Sequence, residues 1–313
     1  GTWTDVASNY NVAIGNYSMD SALDGALNNT AIGYGALSSI TTEDANVAIG
    51  SEAMLQGGGS QNIAIGEKAM YQGPTGGTNY AIGRYSMMDV NAGATALSSN
   101  NNIAIGKSAL GGTWADAASN YNIAIGHLAM DAGVNGALYN IALGYNSLTS
   151  LTTGDANVSI GYGAGYALTT GYSNIIIGRA AGDAATDLYG SIIIGHYAGS
   201  SINTNNSQGS VLIGHYAGTS QTGGVNTFIG YDAGRRNLSG TYNTTVGYEA
   251  GMNATGSSNT SAEKFVVVEP PCSCLASLSW CVSTSVIVKS VFAVFSTIPP
   301  VSEESDAIIF SPT

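Results

Sequence analysis

One short phrase recurs fourteen times along the chain, in one copy as Asn122-Ile123-Ala124-Ile125-Gly126-His127-Leu128-Ala129-Met130. Its closing glycine falls at Gly15, Gly33, Gly50, Gly66, Gly83, Gly106, Gly126, Gly144, Gly161, Gly178, Gly195, Gly214, Gly230 and Gly247. Most steps are 16 to 20 residues, with one of 23. A period near 17 with small insertions belongs to a solenoid, in which each repeat is too small to bury its own apolar face and must stack on its neighbours. That constraint sets aside the prior of about two globular domains for 313 residues.

With the glycine as position zero, position −1 is Ile in all copies but two, Leu143 and Val246, and position −3 is mostly Val or Ile. Such a run, short, β-branched and bounded by Asn and Gly, predicts a β-strand. Side chains alternate along a strand, so −3 and −1 share one face and −2 takes the other. The apolar monotony of −1 predicts that this column is the dry one. Position −4 is Asn in twelve copies and Ser191 or Ser210 in the others. Stacked in register, such amides can bond one another from turn to turn, or each can serve its own local turn.

Position +3 is always Ala or Ser, which implies close packing against that column. Position +4 is Met or Leu in the first eight copies and Gly in the last six, while −2 is Ala through Ala142, Ser159 at the changeover, and then Ile176, Ile193, Leu212, Phe228 and Thr245. Interiors keep near-constant density, so volume lost at one column and gained at another places the two columns against each other. The expectation is one solenoid with two cross-sections: residues 1–150 with Met/Leu-type turns and 151–260 with Gly-type turns. Each turn reads as strand, corner, short second strand and loop, and the long inserts at Val90 to Asn101 and Gly111 to Tyr121 are expected to bulge from the surface.

A longer echo overlies the short one. Gly1-Thr2-Trp3-Thr4-Asp5 returns as Gly112-Thr113-Trp114-Ala115-Asp116, an offset of 111 residues and six phrases, as a block duplication would leave. From about Ser261 the pattern stops. Five of the six prolines and all three cysteines, Cys272, Cys274 and Cys281, lie beyond it. Residues 261–313 therefore read as a cap or tail, with Lys289 and many serines arguing against a membrane span. Gly1 lies within a repeat and is not Met, which points to a fragment or a processed chain.

Charged residues are 9% of the chain and net charge is −12. Eight scattered Lys and Arg make no basic patch able to neutralise phosphates, so nucleic acid is excluded as an expected partner. Apolar content of 44% excludes general disorder.

The phrase Asn-x-Ala-Ile-Gly-x-x-Ala resembles the head repeat of trimeric autotransporter adhesins. It also resembles the repeat of many phage tail-fibre proteins, where it continues as in Gly161-Tyr162-Gly163-Ala164-Gly165 followed by Thr169-Thr170-Gly171. The likeness covers roughly residues 1 to 256. It implies a left-handed parallel β-solenoid of the β-roll type, three chains side by side, in an extracellular fibre that touches a host surface. The chain departs from the bacterial family in its longer turns and in lacking a heptad stalk or an outer-membrane anchor.

Motifs of enzymes dissolve into the repeat. Gly106-Lys107-Ser108 looks like the end of a phosphate-binding loop, but Asn101 stands where that motif needs its first glycine. Gly161, Gly163 and Gly165 fall on repeat columns rather than forming a dinucleotide fingerprint. No nucleophile, base and orienter recur together. Position +1 accepts every polar type and so reads as solvent-facing. It holds Tyr34, His127, Tyr145, Tyr162, His196, His215, Tyr231 and Tyr248 among its members, a candidate recognition column for sugars or a lateral partner. His196 and His215, on consecutive turns about 5 Å apart if stacked, would need a third ligand to hold a metal. The three cysteines are too few and wrongly spaced for a zinc site. No cofactor or metal is therefore expected, and Asn122, Ile125, Gly126 and Ala129 stand for the structural columns.

The expected function is non-enzymatic: the shaft of a viral tail fibre or an equivalent surface filament, homotrimeric, extracellular, in contact with other virion or filament subunits and with a host-surface glycan or protein. The head of a bacterial trimeric autotransporter adhesin is the alternative. An ice-binding solenoid would need a flat Thr column, and none runs the length of the chain. About 4.8 Å per turn makes fourteen turns a stack of roughly 65 Å.

Overall fold

The computed structural model describes residues 7–88, 98–114, 117–202, 208–237 and 239–262. Two units are distinguished, Gly1–Val266 and Val267–Thr313, and the second lies wholly outside the described residues, as do the three cysteines and most of the insert at Val90 to Asn101.

The first unit is a parallel β-solenoid of about fourteen turns. Among the described residues, fifteen three-residue strands, from β1 (Val12–Ile14) to β15 (Thr260–Ala262), form one sheet in which each pairs with its sequence neighbours. The register joins like columns without a slip: Ile123 lies opposite Ile141, Ala124 opposite Ala142 and Ile125 opposite Leu143. The last strand extends the array one step past the last phrase glycine. Asn259 supplies its −4 position, with its backbone N–H bonded to Asn243 Oδ1 at 2.9 Å.

Each turn is tied to both neighbours. In one of them, the N–H groups of Ile123 and Met130 donate forward to the carbonyls of Asn140 and Ser147, while those of Gly126 and Leu128 donate back to Ile105 and Lys107, at 2.8 to 3.1 Å. The segment after the glycine is not a second strand, contrary to expectation. It is a tight turn with left-handed residues at +2 and +4, Leu128 at φ 58° and Met130 at φ 49°, so its backbone zigzags through conformations that no strand adopts. Its backbone groups are nonetheless paired between turns, as buried main chain requires.

The burial pattern corrects the assignment of the dry face. In most strands of the first half −3 is half-buried, −2 fully buried and −1 exposed, while Ile177, Ile194, Ile213 and Ile229 at −1 are half-buried. The interior is lined by −2, +3 and +4: Ala124, Ala129 and Met130 are all inaccessible, whereas Ile125 is 39% exposed. The uniform Ile column therefore faces outward. A narrow interior accepts only small side chains at −2 when Met or Leu fills +4, and the branched column is left for the outer face of the sheet. The small +3 column packs inside the same chain.

The exchange of volume between −2 and +4 is seen directly. A Cβ added at Gly182 would lie 3.3 Å from Ile193 Cδ1, and one at Gly218 would lie 2.7 Å from Leu212 Cδ2. The large −2 side chains of the later turns thus occupy the space that Met or Leu fills earlier. The described part of the insert at Gly111 to Tyr121 does not bulge, because Trp114 is fully buried and joins the core.

Candidate functional site

The −4 asparagines are buried and form a ladder that serves both purposes considered for them. Asn122 Nδ2 donates to Asn102 Oδ1 at 3.2 Å and to the Ala137 carbonyl at 2.8 Å. Its Oδ1 in turn accepts from the backbone N–H and the Nδ2 of Asn140, at 3.0 and 3.1 Å. Ser191 and Ser210 break the run of amides, and Gln221 reaches in from another part of the turn to donate to Ser210 Oγ at 2.8 Å. Gly126 is required by contact: at φ 143° a Cβ there would lie 2.4 Å from the Gly144 carbonyl oxygen. These residues are the scaffold, and +1 follows the scaffold glycine directly, at the corner where the chain leaves the sheet.

The +1 column is a ladder on the solenoid surface. His127 meets Tyr145 edge to face at 5.2 Å between ring centroids, and Tyr145 stacks on Tyr162 at 5.1 Å. Arg179 lies between the rings of Tyr162 and Tyr197, 5.9 and 5.7 Å from their centroids. Beyond it come His196 and His215, and then Tyr231 and Tyr248, with stacked contacts of 5.0 Å from His215 to Tyr231 and 5.3 Å from Tyr231 to Tyr248. Seven of the eight candidate residues therefore form one run. Tyr34 stands apart, edge-on to Tyr17 at 5.5 Å, and in the turns between, the column holds Ser51 and then the charged Glu67, Arg84 and Lys107, with Arg84 Nε 3.0 Å from Glu67.

Stacking has a chemical consequence. Each ring's face is largely turned to the neighbour above or below, so the column offers edges and hydroxyls to a partner rather than open aromatic faces. That geometry suits hydrogen bonding to a polar surface better than stacking on a sugar ring.

Other columns escaped sequence reading. Tyr197 and Tyr216, at +2, stack at 5.5 Å beside the histidines, with the Arg235 guanidinium 4.3 Å from the Tyr216 ring. Tyr121 and Tyr139, at −5, stack at 5.1 Å. Their recurrence at turn spacing was the available signal, diluted because only a few turns carry it. The largest surface feature missed is the outer face of the sheet. Ile14, Ile32, Ile49, Ile65, Ile82, Ile105 and Ile125 are exposed there on seven adjacent strands, and Ile160 is exposed beyond the half-buried Leu143. At about 4.8 Å per strand and about 10 Å of width, these eight residues cover on the order of 400 Å², the size of the largest apolar patch that a monomer's surface usually leaves and one that often serves a function.

Among titratable groups, His196 is held below the usual histidine range by partial desolvation and then by His215 and Arg179. Burial pushes the Asp131 carboxyl up to about 6, with His127 acting weakly in the other direction. Among the described residues no three His, Cys, Asp or Glu side chains cluster as metal ligands, and no helix is long and apolar enough to cross a membrane. In comparisons with protein-family models, with curated proteins and with solved structures, nothing matches this chain.

Proposed function

We propose that this chain is a structural fibre protein, the shaft of a viral tail fibre or of an equivalent extracellular filament, assembled as a homotrimer through the outer face of its sheet. The observation that carries this reading is the uninterrupted apolar stripe of the −1 column. A straight, regular and self-complementary surface of that kind is buried most economically against copies of itself, related by rotation about an axis parallel to the stack. The acidic, basic-poor surface and the repeat resemblance are consistent with an extracellular rod. In this arrangement the +1 ladder lies beside the interface and carries whatever contact the fibre makes with a host-surface glycan or protein.

Sedimentation of the full chain at micromolar concentration tests the assembly. A trimer is expected, reduced to monomer by Ile105→Asp with Ile125→Asp, and a monomeric parent chain would refute the reading. Attachment to host surfaces tests display. Replacing Tyr231 and Tyr248 together by Ala is expected to weaken attachment with little change in melting, and unchanged attachment would make this segment a spacer.

A further inference from the structure

The two histidines on consecutive turns are closer than stacking alone requires. His196 Nδ1 and His215 Nε2 share an N–H···N hydrogen bond at 2.9 Å, its donor set by the tautomer, with ring centroids 4.9 Å apart and planes at 51°. The parallel register creates this approach: Ile194 pairs with Ile213, two residues before each histidine, so both imidazoles leave the same corner in the same direction. Tyr197 and Tyr216 pack against them at 4.3 and 4.1 Å and limit their rotation. The far nitrogens, His196 Nε2 and His215 Nδ1, are buried and meet no hydrogen-bond partner in the described structure.

We propose that His196 and His215 form a two-nitrogen site for a divalent transition-metal ion of the Cu²⁺ or Ni²⁺ class. Imidazole nitrogens bound cis at about 2.0–2.1 Å stand about 2.9 Å apart around a tetragonal ion and about 3.3 Å apart around a tetrahedral one, so the observed separation fits tetragonal geometry. With the two M–N bonds at about 90° the ion sits off the line between the nitrogens, so each lone pair turns by about 45° from that line, the hydrogen bond between the rings is given up, and water completes the shell. Both facing nitrogens then act as lone-pair donors and the ring protons sit on the far nitrogens. Binding therefore needs both rings neutral and fades in acid. Arg179, one turn away in the same column, repels the cation. The Asp232 carboxylate, at +2 of the following turn, is paired with Arg235 Nη1 at 3.1 Å. Both keep the site modest in affinity.

The test is a Ni²⁺ titration of the full chain, with its cysteines alkylated, followed by calorimetry and by melting temperature, and with Cu²⁺ by electron paramagnetic resonance. One saturable site per chain is expected, with nitrogen hyperfine structure and a raised Tm. The site should be lost in His196→Gln and in His215→Gln, which keep a polar side chain at the corner. It should persist in His127→Ala, which removes the third histidine of the same column, and bind more tightly in Arg179→Ala. Absence of saturable binding in the parent chain, or its survival in both Gln variants, overturns the assignment.

Discussion

The ring of Phe228 fills the space beside Gly234: a Cβ built on that glycine would stand 2.3 Å from Phe228 Cδ2. The pair condenses the difference between the two halves of the solenoid. Gly234 at φ 58° avoids the cost of about 1–2 kcal/mol that a left-handed side-chain-bearing residue incurs, and it makes room for an aromatic ring in a core that earlier turns fill with methionine. Phe228→Ala should cost about 3–5 kcal/mol in thermal or urea unfolding. Gly234→Met should also destabilise alone, yet in the Phe228→Ala background it should recover part of the loss. Strict additivity of the two changes would show that the columns do not share one space.

Asn122→Ala should cost about 2–4 kcal/mol, because it leaves the Asn140 N–H and the Ala137 carbonyl without their partner inside the protein. Asn122→Ser should cost less, since Ser191 already serves at this position, its Oγ accepting the Ser210 N–H at 3.3 Å. Equal losses in the two variants, measured by chemical denaturation, would argue that the backbone alone holds the turn.

Neighbouring residues of one strand should respond in opposite ways to the same charge. Ala124→Asp places a carboxylate in the closed interior and should unfold the surrounding turns. Ile125→Asp places it on the outer face and should leave the circular dichroism of the dissociated chain intact. Hydrogen exchange on both variants separates local unfolding from loss of association. Equal damage from the two would return the −1 column to the interior.

Asp131 binds its proton more tightly in the folded chain, at about 6 against an ordinary value of 3.8. Between those values the native state holds more protons than the unfolded state, so stability falls as pH rises through this window and the penalty is complete above it. Asp131→Asn should therefore stabilise the protein at pH 8, by about 1 kcal/mol once solvent screening of a half-exposed group is allowed for, and should change little below pH 3.8. Melting curves at the two pH values check the sign.

Strand positions, turn number and the pairing of −2 with +4 were legible in the sequence because each repeats many times and each follows from a local rule. The inside and outside of the strand were not. Alternation places Ile123 and Ile125 on one face, but hydrophobicity alone cannot say whether that face is lined by the chain itself or by a neighbour. The alanine column was placed on the face opposite the isoleucines, and Ala124 is small because Met130 and its equivalents fill the same narrow interior. The ladder from His127 to Tyr248 was readable as a column. The closeness of His196 to His215, and the turning of ring faces toward one another, depend on side-chain rotation that spacing does not encode.

The step from Ser191 to Ser210 is where the amide ladder lapses, and its N–H to Oγ bond, at 3.3 Å, is longer than the corresponding 2.9 Å between Asn122 and Asn102. The contact between His196 and His215 spans that same step from another corner. Under tension applied along the stack, this junction becomes the mechanical fuse of the array: the turns on either side are expected to part there first, at a force that rises when the two histidines are cross-bridged. Single-molecule extension showing first rupture at a step between Asn102 and Asn174 would place the weak link elsewhere.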